Sequence, residues 1–128
     1  MTHDNRLATL LQASLIADSL ALPVHWNYDP AVIASEYGRV VELRSPPVKG
    51  YHGGQPAGGQ THYGAQALAL MDSLGAGHTF DETAFAATWR ALWDHYDGYR
   101  DGATKATLAN LDAGTPAKSA GSTSTDLG

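Results

Sequence analysis

Leu7, Leu11, Ser14, Leu15 and Asp18 recur at three- to four-residue spacing, the period that lines one face of a helix, and predict an amphipathic helix over residues 5–21. Asp18 falls on the apolar stripe. A shorter helix opens with Asp29 as N-cap and Pro30 at its first position, and closes at Gly38, which suits a left-handed C-terminal cap. "RVVELRS", residues 39–45, reads as a single strand or an extended connector with no partner nearby. Residues 46–60, "PPVKGYHGGQPAGGQ", hold five glycines and no periodicity, and so form a loop of a length that is usually functional or mobile. A helix over 62–74 follows, with Thr61 as N-cap, Leu68, Met71 and Leu74 toward the core, and Gly75 ending it. Thr79 and Glu82 have capping-box spacing and start a helix to about residue 97, whose one face is Phe85, Trp89, Leu92, Trp93 and Tyr96. "DGATKATLANLDAG" supplies one more short helix between Asp101 and Gly114, and residues 115–128 are a small, polar tail or truncated segment. Five helices and two glycine-rich irregular stretches describe an all-α fold, and one domain that is part of a larger one.

Composition narrows the partners. A chain of 128 residues, 43% hydrophobic and 16% charged, is globular and long enough for one core. The net charge is -5 and the eight Lys and Arg residues are scattered, which excludes a chain-wide attraction to nucleic acid. Cysteine is absent, so disulfides, thiolate metal sites and cysteine nucleophiles are excluded. In "LATLLQASLIADSLALP", Gln12 and Asp18 interrupt the apolar core and Arg6 is the single Lys or Arg ahead of it, a poor signal peptide. A cytoplasmic helix is expected, with no run long enough to span a membrane and no membrane partner.

Two places carry chemistry. Burying the Asp18 carboxylate costs several kcal/mol unless it is paired. Asp18 therefore either caps the turn at Leu20 to Pro23 or belongs to a polar site. The glycine loop running into the helix at residue 62 presents free N–H groups and the positive end of the helix dipole, which favour an anion. Neither phosphate-binding glycine fingerprint is present. Histidines stand at 3, 25, 52, 62, 78 and 95 without ligand spacing, so a metal site could arise only by tertiary convergence.

"ASLIADSLALPVHW", followed some thirty-five residues later by "GGQTHYGAQALALMDSL", resembles the first half of the ADP-ribosylglycohydrolase family, which carries G-x-A-x-G-D-A-L-G-x-P-x-E and then G-x-x-T-D-D-T before a Leu-Ala-Leu helix. Asp18, Leu20, Pro23, Thr61, Leu68, Ala69, Leu70, Ser73 and Leu74 match. "YRDGATKATLANLDAG" and "GSTSTDLG" resemble the family's next helix and the start of its S-x-x-N-G segment. The resemblance implies an orthogonal all-α helical domain that hydrolyses the glycosidic bond between ADP-ribose and a modified residue, with magnesium held partly by the Thr-Asp-Asp of the helix mouth. Here the two Asp positions are His62 and Tyr63, the following Thr is Gly64, and the Glu of the first motif is His25. Thr61 is the one matched metal ligand, and a second family motif, Asp-x-Asp-Thr, belongs beyond residue 128. The resemblance thus implies Asp18, His25 and His62 as acid–base groups, Gln60, Thr61 and Tyr63 as ligand contacts, and ADP-ribose or an ADP-ribosylated substrate as partner. Any hydrolysis is expected to be independent of magnesium. The alternative is a non-catalytic member that binds ADP-ribose or a related nucleotide, or serves as a crystallin-like structural module.

Overall fold

A computed structural model describes residues 3–77 and 79–125; His78 and the last three residues of the polar tail lie outside the described residues. Among the described residues the regular structure is entirely helical, as the periodicity predicts: α1 (His3–Ala21), α2 (Pro30–Glu36), α3 (His62–Gly77), α4 (Glu82–His95), α5 (Gly102–Asp112) and α6 (Ala117–Ala120). A 3-10 turn, Leu22–Val24, follows α1 directly. Residues 39–45 form an extended connector, not a strand. The chain divides into two compact units, residues 1–64 and 65–128.

In the first unit, local hydrogen bonding sets the element ends. Asp29 Oδ1 accepts the N–H groups of Ala31 at 2.9 Å and Val32 at 3.3 Å, satisfying donors that the helix itself leaves open. At the other end of α2 the N–H groups of Tyr37 and Gly38 both donate to Ile33 O, with Gly38 at φ +58°, the left-handed cap expected there. α1 behaves differently from the amphipathic reading. Leu7, Leu10, Leu11 and Ile16 are exposed, and burial begins only at its C-terminal end, where Ser19 is buried and Asp18 half-buried. By length and composition alone, Asp4–Val24, with a mean hydropathy of 1.5, could cross a membrane, contrary to the sequence expectation. Gln12 and Asp18 interrupt that segment without lowering its average below the range of such helices. The hydrogen bonds that Asp18 and Ser19 make to residues 58–61 nevertheless tie its end into a globular unit.

The second unit is built on the aromatic face of α4. Trp93 is fully buried, with Trp89 and Tyr96 edge-on to it at ring separations of 5.5 and 5.4 Å, and Trp89 Nε1 donates to Gln66 Oε1 at 2.8 Å. Phe85 and Leu92 on the same face are half-buried. Three expectations are corrected here. Leu68 and Leu74 are exposed, because α3 turns its small residues Ala65 and Ala69 inward instead. α3 also runs through Gly75 to Gly77, since one glycine costs only about 1 kcal/mol in a helix. The cap of α4 is Asp81, not Thr79: Asp81 Oδ1 accepts the Ala84 N–H at 2.7 Å. α5 is capped by the buried Asp101, which accepts the Thr104 N–H at 2.6 Å. The tail contains an element that its composition conceals, since α6 packs on α4 and α5, buries Ala120, and is held by Asn110 Nδ2 donating to Ala120 O at 2.9 Å.

Removing the α4 cap distinguishes the two candidates: Asp81→Ala should lower stability by about 1 kcal/mol, while Thr79→Ala should change it by less than about 0.5 kcal/mol, both read from urea denaturation midpoints.

Candidate functional site

The mouth of α3 is organised by one carboxylate. Thr61 donates twice to Asp18, through its backbone N–H to Oδ2 at 2.7 Å and through its hydroxyl to Oδ1 at 2.6 Å. Asp18 thus has its partner 43 residues away rather than in the turn that follows it. The same hydroxyl oxygen accepts the Tyr63 N–H at 3.2 Å, so Thr61 is the N-cap of α3 as its position predicts. Gln60 is drawn toward α1: its amide nitrogen donates to Ser19 Oγ at 2.6 Å and to Leu15 O at 3.3 Å, while Ser19 donates to Gly58 O. A Cβ on Gly64 would overlap both the Asp18 carboxylate and the Gln60 side-chain oxygen. Glycine at this position is therefore a steric consequence of the clamp.

Beside this mouth three imidazoles converge. His25 follows the 3-10 turn, His52 comes from the long loop, and His62 is the first residue of α3. His25 Nδ1 and His52 Nε2 lie 2.6 Å apart in a hydrogen bond, and one ring nitrogen from each of the three histidines falls within 4.8 Å of the others. His52 and His62 are fully buried and His25 is half-buried. Aromatic rings enclose the cluster. Tyr63 lies against His62 with ring centres 3.9 Å apart, and Trp26 stacks on His25 at 5.0 Å and reaches His62 at 5.1 Å. Trp26 has φ +63°, a left-handed conformation that a bulky residue adopts only when its surroundings demand it. Here the demand is packing of the indole among His25, His62 and the edge of Tyr51.

The cluster opens on a cavity of about 850 Å³ lined by His25, His52, Trp26, Tyr51, Lys49 and Asp29 among others. This volume accommodates a nucleotide-sized ligand. The sequence-derived site residues Asp18, His25, Gln60, Thr61, His62 and Tyr63 all lie in the first unit, around the mouth of α3. His52 and Trp26 were not among them. In the sequence, the length of the 46–60 loop is the one sign that sets it apart, and nothing singles out His52 within it.

Burial disfavours the protonated forms of His25 and His52. Desolvation, reinforced by the neighbouring His25 and His62, lowers the His52 pKa to about 4, with the Asp18 carboxylate opposing. Desolvation and His62 lower His25 as well, again against Asp18. The residues do not suit magnesium, which requires hard oxygen ligands in near-octahedral array. At the helix mouth both Asp18 oxygens accept from Thr61, the Thr61 hydroxyl proton is committed to Asp18, and the next two side chains are an imidazole and a phenol.

Two outcomes follow. Because the folded protein holds fewer protons on His52 than the unfolded chain between pH 6.5 and about 4, stability should be complete above 6.5 and decline as pH falls through that window. Urea midpoints at pH 7 and pH 5 should show the decline, and His52→Gln should flatten it. Asp18→Ala strands buried donors of Thr61 and should cost about 1–3 kcal/mol, with Gly64→Ala also destabilising through overlap with Asp18 and Gln60.

A sequence model of the ADP-ribosylglycohydrolase family matches residues 1–128. No curated protein and no solved structure matches the chain. The family match spans the Asp18 segment, the glycine loop and the mouth of α3, and it continues through α6: the chain belongs to the ADP-ribosylglycohydrolase family.

Proposed function

We propose that this chain recognises ADP-ribosyl groups and hydrolyses the glycosidic bond joining them to a modified residue, with water activated by the imidazole cluster and no role for magnesium. The observation that carries this reading is the cavity walled by His25 and His52, with Trp26, Tyr51 and Lys49 in the same lining. Displacement at the anomeric carbon passes through an oxocarbenium-like transition state and needs a positioned water with a group to take its proton. His25 meets that need, because burial keeps it neutral near pH 7 and it lines the cavity. Lys49 offers a cation to a diphosphate, and the indole and phenol rings offer faces to a base or ribose. Asp18 is a positioning residue in this scheme, acting through Thr61 on the backbone that carries His62 and Tyr63.

A second reading, binding without turnover, is favoured by the imidazole and phenol, rather than carboxylates, at positions 62 and 63. One pair of assays separates the two. Saturating ADP-ribose, at a thousand times its dissociation constant, should stabilise the protein by about 4 kcal/mol in a thermal melt under either reading. Release of ADP-ribose from an ADP-ribosylated peptide should occur only under the first, and His25→Gln should slow it about 100-fold or more. Magnesium added to EDTA-treated protein should not raise turnover; restoration by magnesium would overturn the proposal.

A further inference from the structure

Three imidazoles meeting at one point are a donor set for a borderline transition cation. Zinc with Zn–N bonds of about 2.0–2.1 Å in tetrahedral geometry places its nitrogen ligands about 3.3 Å from one another. The observed nitrogens bracket that spacing, from 2.6 Å between His25 and His52 to within 4.8 Å overall. A cation bound there would replace the His25–His52 hydrogen bond, with the shared proton moving to the other nitrogen of its ring. Burial at His52 favours the uncharged imidazole, the form that offers a lone pair to a metal.

The positions of the ligands add to the argument. They come from the chain after the 3-10 turn, from the 46–60 loop and from the start of α3, segments joined by no regular pairing. A cation held by all three would fasten a glycine-rich loop to two helical elements, which the loop's own composition does little to do. Asp18 stands close enough to act electrostatically on His25 and His52, and so contributes a negative charge toward a dication. Imidazole ligands favour zinc, cobalt or nickel over magnesium and calcium.

We propose that His25, His52 and His62 form a binding site for a divalent cation of the zinc class, with a fourth coordination position open to the cavity lined by Trp26 and Tyr51. A water at that position would ionise near pH 7, at about the value known for zinc bound by three histidines. For this chemical consequence the inference rests on the glycohydrolase reading, with metal-bound hydroxide as the activated water and His25 serving as a ligand of the metal in place of the proton acceptor; cation binding itself is read without turnover.

The test uses tag-free, chelator-stripped protein titrated with zinc, cobalt and magnesium chlorides, followed by calorimetry, visible absorption and thermal melting. Expected are one equivalent of zinc, the intense visible bands of four-coordinate cobalt, a higher melting temperature with zinc, and none of these with magnesium. His25→Gln changes a half-buried residue and should keep the fold. It should weaken zinc binding by more than the 10–100-fold that loss of an outer-sphere partner costs, and His52→Gln should do the same. Absence of zinc binding to the wild-type protein, or binding unchanged in His25→Gln, would overturn the site. Zinc binding without release of ADP-ribose would support the site and count against the hydrolytic reading. Release that persists at full rate in zinc-free, chelated protein would remove the metal from the reaction and overturn its proposed chemical role.

Discussion

The double hydrogen bond from Thr61 to Asp18 is the constraint on which the rest of the first unit depends. It joins the end of α1 to the start of α3 across 43 residues of sequence, with contacts of 2.6 and 2.7 Å. A carboxylate half-buried on a helix is costly when unpaired, and here both oxygens are engaged. The consequences run outward. The Thr61 hydroxyl caps α3, the cap fixes where His62 and Tyr63 leave the backbone, and the close approach of Asp18 and Gln60 leaves no room for a side chain at Gly64. Gln60 and Ser19 extend the same linkage to the carbonyl of Gly58.

This arrangement gives a physical account of the unusual residues at the helix mouth. Carboxylates gathered beside Asp18 would repel it and one another unless a hard cation neutralised them. Imidazole and phenol carry no such charge at neutral pH and can be packed among rings, as His62 is packed against Tyr63 and Trp26. The mouth of α3 thus presents an aromatic and nitrogen-rich chemistry around the Asp18–Thr61 clamp. The left-handed backbone at Trp26 belongs to the same packing, which sets the indole against all three histidines.

The helix ends were legible in the sequence wherever the deciding hydrogen bond spans only a few residues. Asp29, Thr61 and Asp101 each satisfy backbone donors two or three positions ahead, and Gly38 and Gly114 turn the chain with positive φ. Where two capping residues compete within three positions, as Thr79 and Asp81 do, the pattern could not choose between them. The aromatic face of α4 was equally legible, since Phe85, Trp89 and Trp93 repeat at the helical period, with both tryptophans buried and Phe85 half-buried. The inward face of α3 was not, because Ala65 and Ala69 are buried while the larger Leu68 and Leu74 are exposed, the reverse of what hydrophobicity ranks.

By itself, then, the sequence determined the all-helical fold, most of its caps, and the family, all properties carried by local hydrogen bonds, a repeating period or an ordered motif. Only the tertiary structure decided what Asp18 pairs with and that His52 joins His25 and His62. Those contacts close across 43, 27 and 10 residues through an irregular loop, and no periodicity records such a closure.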